Sequence, residues 1–157
     1  MPAEPTRSGL LRSRRQNEMP HATYDIDGDG VDELAIAQRD APDDRVTVYS
    51  GATFTELWHI DQPVGWSSFG QGIGSWPDAN GDGRDDPGVR YGHGIFWDRQ
   101  LALLSGVDGT QLSHLDADET QFKYFGGRLV RGPDMNGDGI DDVLVGCPTP
   151  AFWGDPG

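Results

Sequence analysis

The chain has 157 residues, with 12 Lys plus Arg against 26 Asp plus Glu and a formal net charge of −14, which suits one domain or a piece of a larger one. Its 35% hydrophobic and 10% aromatic residues can build a core, whereas 23 Gly and 11 Pro exclude a long-helix bundle and point to short strands and many turns. No run approaches the ~18 apolar residues a membrane-crossing helix needs, and so acidic a surface repels nucleic-acid phosphates and attracts cations, so neither a membrane span nor a nucleic-acid partner is expected.

Residues 1–19 hold Arg7, Arg12, Arg14 and Arg15 against Glu4 and Glu18, which leaves 8 basic and 24 acidic side chains in residues 20–157. This segment reads as a disordered basic tail. It lacks the apolar core of a secretory signal, because Leu10-Leu11 runs straight into Arg12-Ser13-Arg14-Arg15. The acidic body follows, and one nine-residue motif recurs in it three times: DIDGDGVDE at 25–33, DANGDGRDD at 78–86 and DMNGDGIDD at 134–142. A second element recurs between them, VTVYSGATFTELWHI at 46–60 aligning with LALLSGVDGTQLSHL at 101–115, so that Ser50-Gly51 matches Ser105-Gly106 and Leu57 matches Leu112.

In chain order, a degenerate first strand near Met19–Tyr24 leads into the first acidic loop, and the apolar run Leu34–Ala37 after it is too short for a helix and reads as a second strand. Arg45–Tyr49 is a third strand, and the Ser-Gly turn leads to a fourth near Glu56–Ile60. The next unit has its first strand within Phe69–Trp76, its loop at 78–86, a third strand at Leu101–Leu104 and a fourth near Gln111–Leu115. The last has its first strand within Phe125–Gly132, its loop at 134–142 and a second strand at Val143–Val145. Four strands recurring at this period make a propeller blade. The expected fold is therefore all-β, built of blades of four antiparallel strands near 20–62, 66–116 and 122–157, the last truncated. A closed ring takes at least about four blades, or about 216 residues at this spacing. The expectation is an incomplete propeller of about two and a half blades, which is either part of a longer chain or associates with other chains to cover its open ends.

Each acidic loop places oxygen side chains at positions 1, 3 and 5 and a glycine at position 6, where the backbone must turn sharply for those oxygens to converge on one cation. The candidate ligands are Asp25, Asp27 and Asp29, then Asp78, Asn80 and Asp82, then Asp134, Asn136 and Asp138. Hard oxygens without His or Cys select Ca²⁺ over zinc or copper, and a crowded acidic loop suits its higher, flexible coordination better than that of Mg²⁺. An EF-hand would close with a Glu at position 12, but Ile36, Val89 and Val145 stand there. The closing ligand is instead expected at position 9, Glu33, Asp86 or Asp142, with the backbone carbonyl of position 7, Val31, Arg84 or Ile140, joining it. The competing reading is a set of solvated Asp-Gly turns, which would not need aligned carboxylates that repel one another.

These residues resemble the FG-GAP repeat, the blade unit of integrin α-subunit amino-terminal propellers and of many bacterial surface or secreted proteins. Phe125-Gly126 followed by residues 133–148 carries most of the resemblance, with Cys147 where Ala is usual. Phe69-Gly70 with residues 77–86 also fits. The first copy shows only His21-Ala22-Thr23 in place of Phe-Gly and has Glu33 where the family prefers Asp, which ranks its loop last of the three as a metal site. The resemblance spans roughly residues 20–148. It implies Ca²⁺ in the hairpin loop between the first two strands of each blade, and an extracellular or cell-surface role in adhesion or recognition.

No catalytic arrangement stands out. Gly65-Trp66-Ser67-Ser68-Phe69 lacks the last glycine of a nucleophile elbow, and Gly70, Gly72 and Gly74 lack the lysine and helix of a phosphate loop. His21, His59, His93 and His114 are dispersed, and His59 and His114 fall at corresponding fourth-strand positions, as exposed repeat-related residues would. Trp58, Trp66, Trp76, Trp97 and Trp153 read as packing between blades, with a sugar-stacking platform as the alternative. Cys147, the single cysteine, forms no internal disulfide and reads as a buried, inert thiol. The expected function is a Ca²⁺-stabilised, non-catalytic recognition module that binds a protein or glycan at a propeller face. The alternatives are part of a propeller attached to an enzyme, with Asp116 and Asp118 as site residues outside the loops, and a remnant of a broken gene.

Overall fold

The computed structural model describes residues 18–22, 25–39, 43–93, 98–117 and 125–147. It is all-β among these residues, an incomplete propeller-like arrangement of three antiparallel sheets. The first sheet takes β1 (Glu18–Ala22), β2 (Leu34–Gln38), β3 (Arg45–Tyr49) and β4 (Glu56–Asp61) in chain order. The second has β5 (Trp66–Ser67) and β6 (Ile73–Trp76) both pairing with β7 (Asp86–His93), followed by β8 (Asp98–Leu104) and β9 (Gln111–Asp116). A two-stranded hairpin, β10 (Arg128–Arg131) and β11 (Val143–Gly146), is the third. The strands expected from the pattern stand within a few residues of their places, and β1 starts at Glu18, so two residues assigned to the tail belong to the first sheet. The remainder of the tail, Trp97, Trp153 and Asp118 lie outside the described residues.

In β2, alternation decides which face is buried. Ala35 and Ala37 are fully buried between half-buried Leu34, Ile36 and Gln38. Opposite them Val46 and Val48 of β3 face the same core, which also takes in Ile26, Trp58, Phe69, Ile73, Val89, Tyr91, Ala102 and Leu104. One strand had no apolar run to announce it. β7 reads Asp86-Pro87-Gly88-Val89-Arg90-Tyr91-Gly92-His93. Proline is tolerated there because pairing with β8 begins only at Gly88 opposite Leu103, so no bond to β8 is lost at Pro87.

The Phe-Gly dipeptides join neighbouring blades. Phe69 is buried, and Gly70 adopts φ 73°, where an L side chain is strained. A Cβ on Gly70 would sit 2.7 Å from Ala37 Cβ and 3.1 Å from Val46 Cγ2, so this glycine lies directly on the first blade. Gly126 repeats the conformation, with φ 73°, one blade further on. There it lies against the aliphatic stem of Arg90, and its carbonyl comes within 2.2 Å of where a Cβ on Gly72 would be. Leu129 of β10 occupies the space that Cβ atoms at Gly74 and Gly88 would need. The glycines 70, 72 and 74, superficially a phosphate loop, are thus contact points between blades.

Two of the described tryptophans, Trp58 and Trp66, also pack. Trp58 of β4 is buried, lies over Gly109 of the second blade and donates Nε1–H to Gly106 O at 2.8 Å. Trp66 stacks on Tyr91 with ring centroids 3.6 Å apart and planes 9° from parallel. His59 and His114 stand at equivalent register positions, opposite Thr47 and Ala102, each exposed and beside an acid, Glu56 or Asp116. Cys147 is half-buried rather than buried. It follows β11, the outermost strand of a two-stranded sheet, and no further described strand covers it.

Candidate metal-binding loops

Each acidic loop joins the first two long strands of its sheet: β1 to β2, β6 to β7 and β10 to β11. All three fold by one hydrogen-bond scheme. The position-1 carboxylate gathers backbone donors: Asp25 Oδ1 accepts from Gly28 and Asp29 N–H, and Oδ2 accepts from Gly30 N–H. Asp78 does the same with Gly81, Asp82 and Gly83, and Asp134 with Gly137, Asp138 and Gly139. These bonds hold the Asp78 and Asp134 carboxyls below the usual aspartate range, the Gly83 and Gly139 N–H groups acting most strongly. Position 3 accepts from position 5, and position 5 from position 7, through Asp27 and Asp29, Asn80 and Asp82, and Asn136 and Asp138. The position-6 glycines Gly30, Gly83 and Gly139 have φ 88°, 84° and 89°, which makes the sharp turn possible without strain.

Position 9 closes each loop by accepting the N–H of position 2: Glu33 from Ile26, Asp86 from Ala79 and Asp142 from Met135. Glu33 and Asp86 are buried, at 2% and 0% exposure, whereas Asp142 is half-buried. Burial pushes the Glu33 and Asp86 carboxyls up, and loop aspartates beside each add to it, Asp27 and Asp25 for Glu33, Asp82 and Asp78 for Asp86. The position-7 residues Val31 and Ile140 are exposed. Arg84 instead reaches sideways, its Nη1 lying 3.4 Å from Ile26 O of the first loop.

Ligand atoms of Asp25, Asp27, Asp29 and Glu33 all lie within 4.8 Å of one another, a group that could hold a metal ion. The loop ranked last from sequence therefore does bring four carboxylates together, Glu33 among them from position 9. The other two loops carry an amide that relieves part of the repulsion: Asn80 Nδ2–H donates to Asp82 Oδ2 at 2.9 Å, and Asn136 Nδ2–H to Asp138 Oδ2 at 3.0 Å. The first loop has an aspartate, Asp27, in place of that amide, so no side-chain amide offsets the repulsion among its carboxylates.

The recurrent Ser-Gly turn has its explanation here. A Cβ on Gly51 would lie 1.9 Å from Asp32 O, and one on Gly106 would lie 2.2 Å from Asp85 O. Each turn rests on the position-8 backbone of its own acidic loop. Gly106 also donates N–H to Asp86 Oδ1 at 2.9 Å, and the methyl of Ile26 fills the space beside it. The turn thus buries the position-9 carboxylate. Sequence reading marked the repetition of Ser-Gly but not this contact, nor the position-8 acids. Among those, Asp85 accepts from Arg131 Nη1 at 2.6 Å and Asp141 accepts from Arg131 Nε at 2.8 Å.

No protein-family model matches the chain, and no curated protein matches it either. No helix among the described residues is long and apolar enough to cross a membrane.

Proposed function

We propose that the chain is a Ca²⁺-binding propeller module of the FG-GAP kind, without catalytic turnover, in which cations clamp the acidic loops and a propeller face binds a protein or glycan partner outside the cell. The observation that carries this reading is the set Asp25, Asp27, Asp29 and Glu33, whose ligand atoms lie within 4.8 Å of one another with no side-chain amide among them. Four hard carboxylates around a glycine turn suit Ca²⁺, which tolerates six to eight oxygens and flexible geometry, better than the strict octahedron of Mg²⁺. The shared hydrogen-bond scheme extends the reading to Asp78, Asn80, Asp82 and Asp86 and to Asp134, Asn136, Asp138 and Asp142, with the carbonyls of Val31, Arg84 and Ile140 as further donors.

The third blade supports an association partner. Ala35 and Ala37 in the first blade, and Gly88 and Arg90 in the second, stand on the face that receives the next blade. Leu144 holds the same place in β11, paired with Val130 of β10, and both are about half exposed, at 52% and 55%. Further blades of a longer chain, or a second copy, would cover them.

The test is calorimetric. One site filled at 100 times its dissociation constant adds about 2.7 kcal/mol of stability, so Ca²⁺ should raise Tm clearly above that in chelator, and Mg²⁺ much less. An identical melting curve in Ca²⁺ and in chelator would refute the reading.

A further inference from the structure

We propose that Arg131 is a positioning residue that couples the second and third acidic loops, so that cation uptake by one raises the affinity of the other. The inference rests on the calcium reading above. Arg131 ends β10, three residues before Asp134, and its guanidinium spans two blades: Nε–H donates to Asp141 Oδ2 at 2.8 Å, and Nη1–H to Asp85 Oδ2 at 2.6 Å. Both acids are position-8 residues, and each is the immediate chain neighbour of a closing carboxylate, Asp142 or Asp86. Ser75 holds the equivalent place before Asp78, and its Oγ lies 3.4 Å from the same Asp85 oxygen, but so short a side chain stays within its own blade. The Arg131 and Asp85 side chains are only 24% and 16% exposed, so this is a largely covered, charge-assisted link rather than a solvated pair.

A planar fork that holds two carboxylates fixes their relative positions. A cation in the third loop immobilises Asp142 and with it Asp141. The fork is then already ordered, and Asp85 and Asp86 lose less freedom when the second loop takes its ion. The effect must be reciprocal. A guanidinium acting only as a nearby positive charge would instead weaken both loops independently.

The position-6 glycines report each loop separately, because the N–H of Gly30, Gly83 and Gly139 each donates to the position-1 carboxylate of its loop. Their amide resonances are followed during CaCl₂ titration of the full chain. Asp138→Ala, which disables the third loop, should raise the Ca²⁺ concentration for half-shift of Gly83 by about fivefold or more and leave Gly30 unmoved. In an Arg131→Met background the same change should move Gly83 by less than about twofold. Arg131→Lys, which keeps the charge and loses the fork, should also lose the coupling, and it serves as the test if the Met variant does not fold. A Gly83 midpoint indifferent to Asp138→Ala, or shifted equally with Arg, Met and Lys at position 131, overturns the coupling while leaving calcium binding intact. No Ca²⁺ response at any of the three glycines overturns both readings.

Discussion

Gly70→Ala is the sharpest probe of how the first two blades meet. Two costs act at this position. The backbone sits at φ 73°, and placing an L side chain there costs about 1–2 kcal/mol. The new Cβ would also lie 2.7 Å from Ala37 Cβ and 3.1 Å from Val46 Cγ2, neither of which can swing away, so the blades must separate or the turn must shift. Overpacking of this kind costs about 1–3 kcal/mol, which brings the total to about 2–5 kcal/mol. Gly83→Ala supplies the control, since Gly83 has φ 84° and nothing within 4 Å of an added Cβ, and only the backbone term of about 1–2 kcal/mol applies. Urea unfolding of both variants in chelator, with the slopes compared, gives the difference directly. Ala37→Gly introduced with Gly70→Ala removes the nearest clash and should recover part of the loss, a non-additivity expected only of residues in contact. If Gly70→Ala costs no more than Gly83→Ala, the seating of the Phe-Gly turn on the first blade is refuted.

Trp58→Phe should keep most of the packing over Gly109 but leave the buried carbonyl of Gly106 without its 2.8 Å indole donor, a loss of about 1–3 kcal/mol readable as a lower urea midpoint. An unchanged midpoint would mean that the indole bond does not join the blades. In chelator the pH dependence should also be unusual. Glu33 and Asp86 have raised folded pKa values, chiefly through burial, so their contribution to stability is fully present below the ordinary carboxylate range and is lost as pH rises through the raised values. Asp78 and Asp134 are lowered by backbone N–H bonds, so theirs is present above that range and lost as pH falls through the lowered values. The metal-free chain should therefore be most stable on the acid side, with Glu33 and Asp86 protonated and Asp78 and Asp134 charged. A urea midpoint that climbs steadily to neutral pH would contradict this.

Local pattern was enough to specify the strands and loops, because both are written in neighbouring residues. Arg45–Tyr49 carries three consecutive β-branched residues, Val46, Thr47 and Val48, in a run too short for a helix, and Asp25-Ile26-Asp27-Gly28-Asp29-Gly30 can satisfy its own backbone donors with its own carboxylates. The second long strand of the middle blade escaped notice. Gly88 and Arg90 break the apolar pattern in β7, since what they accommodate is Leu129 and Gly126 of the next blade rather than a core of their own. The reason for Phe-Gly, for Ser-Gly and for the acids at position 8 lay equally out of reach, because each touches a segment distant in the chain. Gly70 meets Ala37, Gly106 meets Asp85 and Ile26, and Arg131 reaches back 46 residues to Asp85. Repetition can show that such residues recur. Only the stacking of one sheet on the next decides what they touch, because contacts across blades depend on distances that no local spacing encodes.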